Sequence, residues 1–310
     1  MSHTLATAHR AWARELWALC YRMTGLAADA DELVQDTFVR ALEAKPSEAE
    51  SLRPWLFSIA TRLCIDRLRR RRTQGYRGPW LPSLVPDEEL GFEAPASARY
   101  EVLESAGLAF LLALEALSPE QRAAIVLGDV FDLPAKEIAT HLETSEANVR
   151  QLQLRGRRAL SGYDAARVPR DATKHREALE GFFSALATGD VDGARRFLAD
   201  DVQVLSDGGG DYHAAMVPIH GSERAVLFFT RLLELRGAPL EFAVRAVNGS
   251  WAVDATFRPG HAKDAPRGVT GVLLDAAGKI GLIYSVVAPA KLPERVGLEV
   301  LAHAGETRVR

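Results

Sequence analysis

The sequence predicts a multidomain chain, with two all-α domains followed by one α+β domain. Three observations carry this expectation. Apolar residues recur at three- and four-residue spacing through residues 5–72 and again through 98–162. Short β-type runs follow after residue 200. A stretch rich in proline and glycine, residues 73–97, separates the two helical segments.

The elements follow in order. A first helix is expected near residues 5–22 and a second near 29–44, where Leu33, Val34, Phe38 and Leu42 form one apolar face. Pro46 ends it. A third helix begins at Ser51, an N-cap, with Pro54 in its first turn, and continues through Leu52, Trp55, Leu56, Ile59 and Leu63. Residues 1–74 thus form the first domain and 75–97 a linker. That linker holds Tyr76, Trp80, Leu81 and Leu84, which a solvated tether would not need. Residues 98–163 form the second helical domain, with a capping box at SPEQ, 118–121. A short linker, 164–172, leads to the third domain, 173–292, and a tail, 293–310. In the third domain, helices near 173–188 and 221–236 accompany strands at 202–205, 240–247, 251–257, 269–274 and 280–287. A mostly antiparallel sheet is expected.

Composition bounds the function. The chain has 310 residues, 47% hydrophobic and 25% charged, with net charge −3, so no global basic excess points to nucleic acid. Cys20 and Cys64, the two cysteines, sit in apolar helical patterns and read as core thiols of a reduced, cytoplasmic protein. The N-terminal MSHTLATAHRAWARELW is charged where a signal peptide is apolar. No run approaches the roughly 18 apolar residues that cross a membrane.

Three stretches carry chemistry. RLCIDRLRRRR, 62–72, sets six arginines against one acid, Asp66. Guanidinium forks at this density suit phosphates, and a solvated helix end is the plainer alternative. PAKEIATHLETSEANVRQLQLRGRRAL, 134–160, reads helix, tight turn, helix, with Ile138, Leu142, Val149 and Leu152 in the seam and Ala139 where the helices approach. Its second helix presents Asn148, Arg150, Gln151 and Arg155, side chains able to reach base edges and phosphates. Glu143 occupies a turn position that glycine usually takes, and Gly156 weakens the second helix. LSDGGGDYH, 205–213, has three glycines after a strand-like run but lacks both a following Lys-Ser/Thr and a surrounding βαβ unit. The phosphate-cradle reading falls, and close approach of another segment, the linker, takes its place.

Taken together, DADELVQDTFVRAL (29–42), RPWLFSIATRLCIDRLRRRR (53–72) and LSPEQRAAIVLGDVFDLPAKEIATHLETSEANVRQLQLRGRRAL (117–160) resemble, in order and spacing, the bacterial extracytoplasmic-function (ECF) RNA polymerase sigma factors. The resemblance implies two all-α sigma domains: a region 2 helical bundle and a region 4 helix-turn-helix. It implies that Asp31, Glu32, Gln35 and Asp36, in an acidic stripe that begins at Asp29, face the β′ clamp of core polymerase, with region 4 on the β flap. It implies that Arg62, Arg67, Arg69 and Arg70 hold the −10 strand, although relatives often carry asparagine at the place of Arg62. Asn148, Arg150, Gln151, Leu154 and Arg155 would read the −35 duplex. Trp55 and Phe57 are candidate stacking platforms, but the apolar stripe assigns Trp55 to the core.

The third domain, from ALEGFFSALATGDVDGARRFLADDVQVLSDGGG, resembles the SnoaL-like branch of the NTF2-like cone. A sigma factor carrying this domain resembles the ECF41-type group, whose motifs match WLP (80–82), DGGG (207–210) and, in part, VAPAKL (287–292). The implied interdomain contacts are Trp80, Leu81, Pro82, Asp207, Gly208, Gly209, Gly210, Lys291 and Leu292, with the domain regulating in place of a separate anti-sigma factor. No catalytic residue, metal or cofactor is expected. Asp207, His213, Asp254 and Tyr284 could converge in a cone pocket, and a small-molecule ligand there stays open. The competing readings are a SnoaL-like isomerase or cyclase with a DNA-binding front end, and a helix-turn-helix repressor.

Overall fold

The computed structural model describes residues 2–44, 52–90, 105–166 and 171–293. The chain forms two units: Met1–Tyr76 with Leu81–Arg167, and Arg77–Trp80 with Val168–Arg310.

In the first unit, α1 (Ser2–Thr24), α2 (Ala27–Ala44) and α3 (Leu52–Gln74) pack around Leu16, Leu19, Tyr21, Leu33, Leu56, Phe57 and Leu63, all at most 2% exposed. Burying such side chains contributes about 1.5–3 kcal/mol each before ordering costs. Gly25, at φ 72°, closes α1 in the left-handed region, and its N–H donates to Tyr21 O at 2.7 Å. Leu33, Val34 and Phe38 are buried as expected, but Leu42 is half exposed, as is Val39. The buried stripe of α2 runs on through Ala41 instead, which leaves Val39 and Leu42 as an apolar edge beside it. Ser51, the expected cap of α3, lies outside the described residues, as do residues 98–104 of the second helical domain.

One part of the linker belongs to this unit. After Leu81, which is fully buried, Ser83 ties the linker to the α1–α2 corner. Its N–H donates to Gly25 O (2.8 Å), its O accepts from the Tyr21 hydroxyl (2.7 Å), and its hydroxyl accepts from Ala27 N, capping α2 (3.2 Å). A single helical turn, α4 (Asp87–Leu90), follows.

The same hydrophobic core continues through α5 (Leu108–Leu114), α6 (Pro119–Ile125), α7 (Ala135–His141) and α8 (Glu146–Ala166). The expected capping box is formed: Ser118 Oγ accepts from Gln121 N at 3.1 Å, and Gln121 Oε1 accepts from Ser118 N at 3.0 Å. A π-helical turn, Val126–Val130, extends α6. Between α7 and α8, Glu143 adopts φ 50°, the left-handed strain that the missing glycine foretells. Ser145 Oγ then caps α8 on Asn148 N (3.2 Å). Gly156 has a packing reason beyond its cost to the helix. A Cβ there would stand 2.7 Å from Ile125 Cγ1, so α6 and α8 approach through the missing side chain.

The second unit opens with α9 (Ala172–Ala187), capped by Asp171, then α10 (Val191–Arg196) and α11 (Ser222–Arg236). They accompany one six-stranded sheet of β1 (Leu198–Asp207), β2 (Ile219–His220), β3 (Glu241–Val247), β4 (Ser250–Thr256), β5 (Arg267–Leu274) and β6 (Ile280–Val286), in the order β2-β1-β6-β5-β4-β3. Four of the pairings are antiparallel, but β1 and β6 run parallel, Val204 beside Ile283. That pairing joins strands more than seventy residues apart and leaves no local trace. Phe182, Phe229, Val204, Val272 and Ile283 fill the space between helices and sheet. Among the described residues, no helix is long and apolar enough to cross a membrane.

Candidate functional site

The arginine-rich end of α3 is engaged within its own unit. Arg62 pairs with Glu143 of the α7–α8 turn at 2.8 Å, and Arg69 Nη2 reaches Glu120 of α6 at 2.8 Å. Arg67 bridges Asp29 and, at 2.8 Å, Glu32, both on α2. Among the described residues, Arg70 donates only along its own helix, to Asp66 O at 3.3 Å, and stays exposed. Arg71 grips both oxygens of Glu115 at 2.9 Å and donates to Thr24 O at 2.6 Å, while Arg72 donates to Leu117 O. Glu115 is shared with Arg122, a guanidinium 3% exposed that also donates to Met23 O (2.8 Å) and Leu114 O (3.1 Å). Burial pushes the Arg122 guanidinium below its ordinary range, against the Glu115 carboxylate beside it.

Deeper in the same contact, His141 of α7 is 2% exposed, with Nδ1 2.5 Å from Ser58 Oγ of α3. Burial holds this imidazole below its usual pKa; Glu137 opposes the shift, and Arg62 and Arg53 add to it. Phe57 lies edge-on to Phe131 at 5.6 Å and is 1% exposed, so it is a core residue and no stacking platform. Trp55 is partly buried against the same core.

Thus Arg67, expected on DNA, is paired with Asp29 and Glu32, expected on or beside the polymerase contact. Asp31 accepts from Trp17 Nε1 at 2.8 Å, while Gln35 is exposed and Asp36 half-buried on the same helix. The acidic partners Glu115 and Glu120 carry no local sequence signal, because they lie 44 and 51 residues from their arginines.

On α8, Val149 is buried and Leu152 half-buried, and the opposite side faces outward. Asn148, Arg150, Gln151, Leu154 and Arg155 are all exposed, as expected of a reading surface. Arg150 is held by Glu146 at 2.8 Å and Arg157 by Asp129 at 2.5 Å.

The second unit carries a third cluster. Lys291, 6% exposed, pairs with Asp207 at 2.7 Å, and its Nζ lies 4.7 Å from the centroid of the Trp80 ring. Asp207 Oδ1 also accepts from Gly209 N at 2.9 Å, which folds the glycine loop back on the carboxylate. Gly209 takes φ 67°, and a Cβ there would meet Ala288 Cβ at 2.9 Å. Trp80 therefore contacts the VAPAKL segment, and the DGGG loop is joined to it through Lys291. Leu81 and Pro82 belong to the first unit. The carboxylates considered for catalysis do not converge on a histidine. Asp207 is taken by Lys291, Asp254 by Arg267 at 2.6 Å, and His213 stands 3.6 Å from Asp264.

The Sigma-70 region 2 family model matches residues 8–74, and the Sigma-70 region 4 model matches residues 107–160. A region 2 bundle and a region 4 helix-turn-helix in one chain define an RNA polymerase sigma factor, which binds core polymerase and promoter DNA to start transcription. The ECF RNA polymerase sigma factor SigJ of Mycobacterium tuberculosis is 32% identical over 286 residues, covering 90% of both proteins. The probable ECF sigma factor SigI of the same species is 27% identical over 292 residues, covering 92% of each. The crystal structure of Mycobacterium tuberculosis SigJ aligns with TM-score 0.73 at 29% identity, over 92% of this chain and 97% of that one. This chain belongs to the ECF RNA polymerase sigma factors. It is not an enzyme, and the match to SigJ runs through the sheet-containing C-terminal part.

Proposed function

We propose that this sigma factor is regulated by its own C-terminal domain, acting through the linker between regions 2 and 4. The observation that carries this is the stack of Trp80 on Lys291 and Lys291 on Asp207. The segment joining the two promoter-binding regions is held by the C-terminal unit, as the ECF41-type motifs imply. No separate anti-sigma factor is then needed, and a small ligand enters the reading only as a modulator of that hold.

In this reading Arg62, Arg67, Arg69 and Arg70 take the −10 strand, and Asn148, Arg150, Gln151, Leu154 and Arg155 take the −35 duplex. Asp31, Glu32, Gln35 and Asp36 take the polymerase clamp, and region 4 the β flap. The ion pairs of the first unit support a resting form. The −10 and −35 elements lie about 25 base pairs apart, roughly 85 Å of duplex at 3.4 Å per pair. A compact body of about 160 residues has a radius of gyration near 15 Å and is about 40 Å across. Region 4 must leave region 2 to read both elements, and Glu120 and Glu143 must then yield Arg69 and Arg62 to phosphates.

Run-off transcription with core polymerase tests the proposal. The full chain should give promoter-dependent transcripts, and Trp80→Ala should change their yield while both units stay folded. Wild-type yield together with wild-type crosslinking between the linker and the C-terminal unit would overturn it. DNA binding without transcripts would favour a repressor.

A further inference from the structure

Resting on the proposal that α8 enters the major groove at the −35 element, we propose that its central stripe is built for adjacent A·T pairs. An adenine lies opposite Gln151, and a thymine methyl lies against Leu154.

The stripe follows from helix geometry and burial. Val149, Gly156 and Leu160 are buried, and with them the side of α8 that packs on its own domain. At 3.6 residues per turn, the residues diametrically opposite are Ala147, Gln151, Leu154 and Arg158, spaced four, three and four apart, and all four are exposed. A recognition helix reads base edges with its N-terminal turns. Ala147, Gln151 and Leu154 occupy those turns, and Arg158 comes a turn later, where a phosphate is the natural partner.

Three neighbours on the flanks have partners within their own domain, and the fourth, Arg155, is exposed at the edge of the stripe one turn beyond Gln151, where a phosphate is its natural partner. Arg150 is in an ion pair with Glu146 at 2.8 Å and Arg157 with Asp129. The Asn148 amide donates to Thr144 Oγ1 at 2.9 Å. Gln151 is therefore the amide left at the centre of the stripe, between two apolar side chains. Leu154 is 50% exposed on a helix surface otherwise polar or small, a poor arrangement in water and a good one against a methyl group.

The chemistry of base edges then assigns the pairs. Adenine offers N7 as acceptor and N6–H as donor, and a glutamine amide meets both at once. Thymine alone offers a C5 methyl, which suits Leu154 and Ala147. Guanine is read by an arginine or lysine fork on O6 and N7, and none stands in the central stripe within the first turns.

The experiment is selection from random duplex pools by core polymerase carrying the full chain, followed by sequencing. The wild type should enrich adenine at one −35 position. Gln151→Arg should move that preference to guanine, with a discrimination of roughly 5- to 150-fold lost at adenine. In the selected duplex, replacing the neighbouring thymine by deoxyuracil removes only the methyl and should weaken wild-type binding about 4-fold. Leu154→Ala should abolish that difference between thymine and uracil. A −35 element whose selected bases are the same for wild type and Gln151→Arg would overturn the assignment. So would a Leu154→Ala loss that is equal on thymine and uracil, which would mark Leu154 as a polymerase contact. Failure of the wild type to enrich any sequence would instead overturn the promoter reading on which the assignment rests.

Discussion

Replacing the buried pair at the linker by a neutral one isolates what the cation does for Trp80. In the pair of substitutions D207N and K291M, the side chains removed are 0% and 7% exposed. Removing Lys291 alone would strand a buried carboxylate at a cost of about 3–5 kcal/mol and blur the result with unfolding. The neutral pair avoids this, and the amide oxygen that D207N introduces can still accept from Gly209 N, which donates to the carboxylate at 2.9 Å in the wild type. What is lost is the ammonium 4.7 Å from the Trp80 centroid. A desolvated cation–π contact is worth roughly 1–2 kcal/mol, which is about 5- to 30-fold in the opening equilibrium of the linker. Arg77, exposed three residues before Trp80, supplies the readout. Tryptic cleavage after it tracks the open population when opening and closing are fast relative to cleavage. The D207N/K291M variant should be cut about 5- to 30-fold faster, Trp80→Leu should behave alike, and the combination should add little. A coupling below about 0.3 kcal/mol in that cycle, within ordinary additivity, would refute the stacking argument.

Three further outcomes follow from the first unit. Glu120→Gln with Glu143→Gln should raise the free chain's affinity for duplex DNA by up to about 5-fold per bridge, read by fluorescence anisotropy at fixed salt, because exposed pairs are worth about 0–1 kcal/mol; unchanged affinity would count against the resting form. His141 has a depressed pKa, so its contribution is fully present above the unfolded value of about 6.5 and is lost as pH falls below it. Melting temperature should therefore drop on acidification from about pH 7.5 towards about 5.5, and His141→Gln should flatten the part of the drop that belongs to this residue. Gly156→Ala should destabilise by roughly 1–3 kcal/mol in thermal melts despite a better helix propensity, since its Cβ would crowd Ile125; a gain in stability would show that α6 and α8 can part without cost.

Much of the architecture is legible in the sequence because its signals are local. The helices of regions 2 and 4 follow from apolar periodicity, the α6 start from Ser118 and Gln121, and the turn before α8 from the positions of Glu143 and Ser145. The strands after residue 200 follow from short apolar runs bounded by glycines. The parallel β1–β6 pairing and the two-residue β2 do not, since their partners are distant or their length is too short to carry a pattern. Leu42 shows the limit of periodicity itself: both Ala41 and Leu42 fit the apolar spacing after Phe38, and packing buries Ala41 and leaves Leu42 half exposed.

The sequence by itself determined that this chain is a two-region sigma factor with a third domain. The residue types that the family resemblance assigns to docking, phosphate and bases fall at fixed spacing along single helices. Only the tertiary structure decided which partners those residues have within the chain. Arg62 and Arg69 meet Glu143 and Glu120, Arg67 meets Asp29 and Glu32, and Lys291 lies between Asp207 and Trp80. Each pairing joins residues tens to hundreds of positions apart, and a charge chooses among such partners by distance and burial, which a linear pattern does not contain.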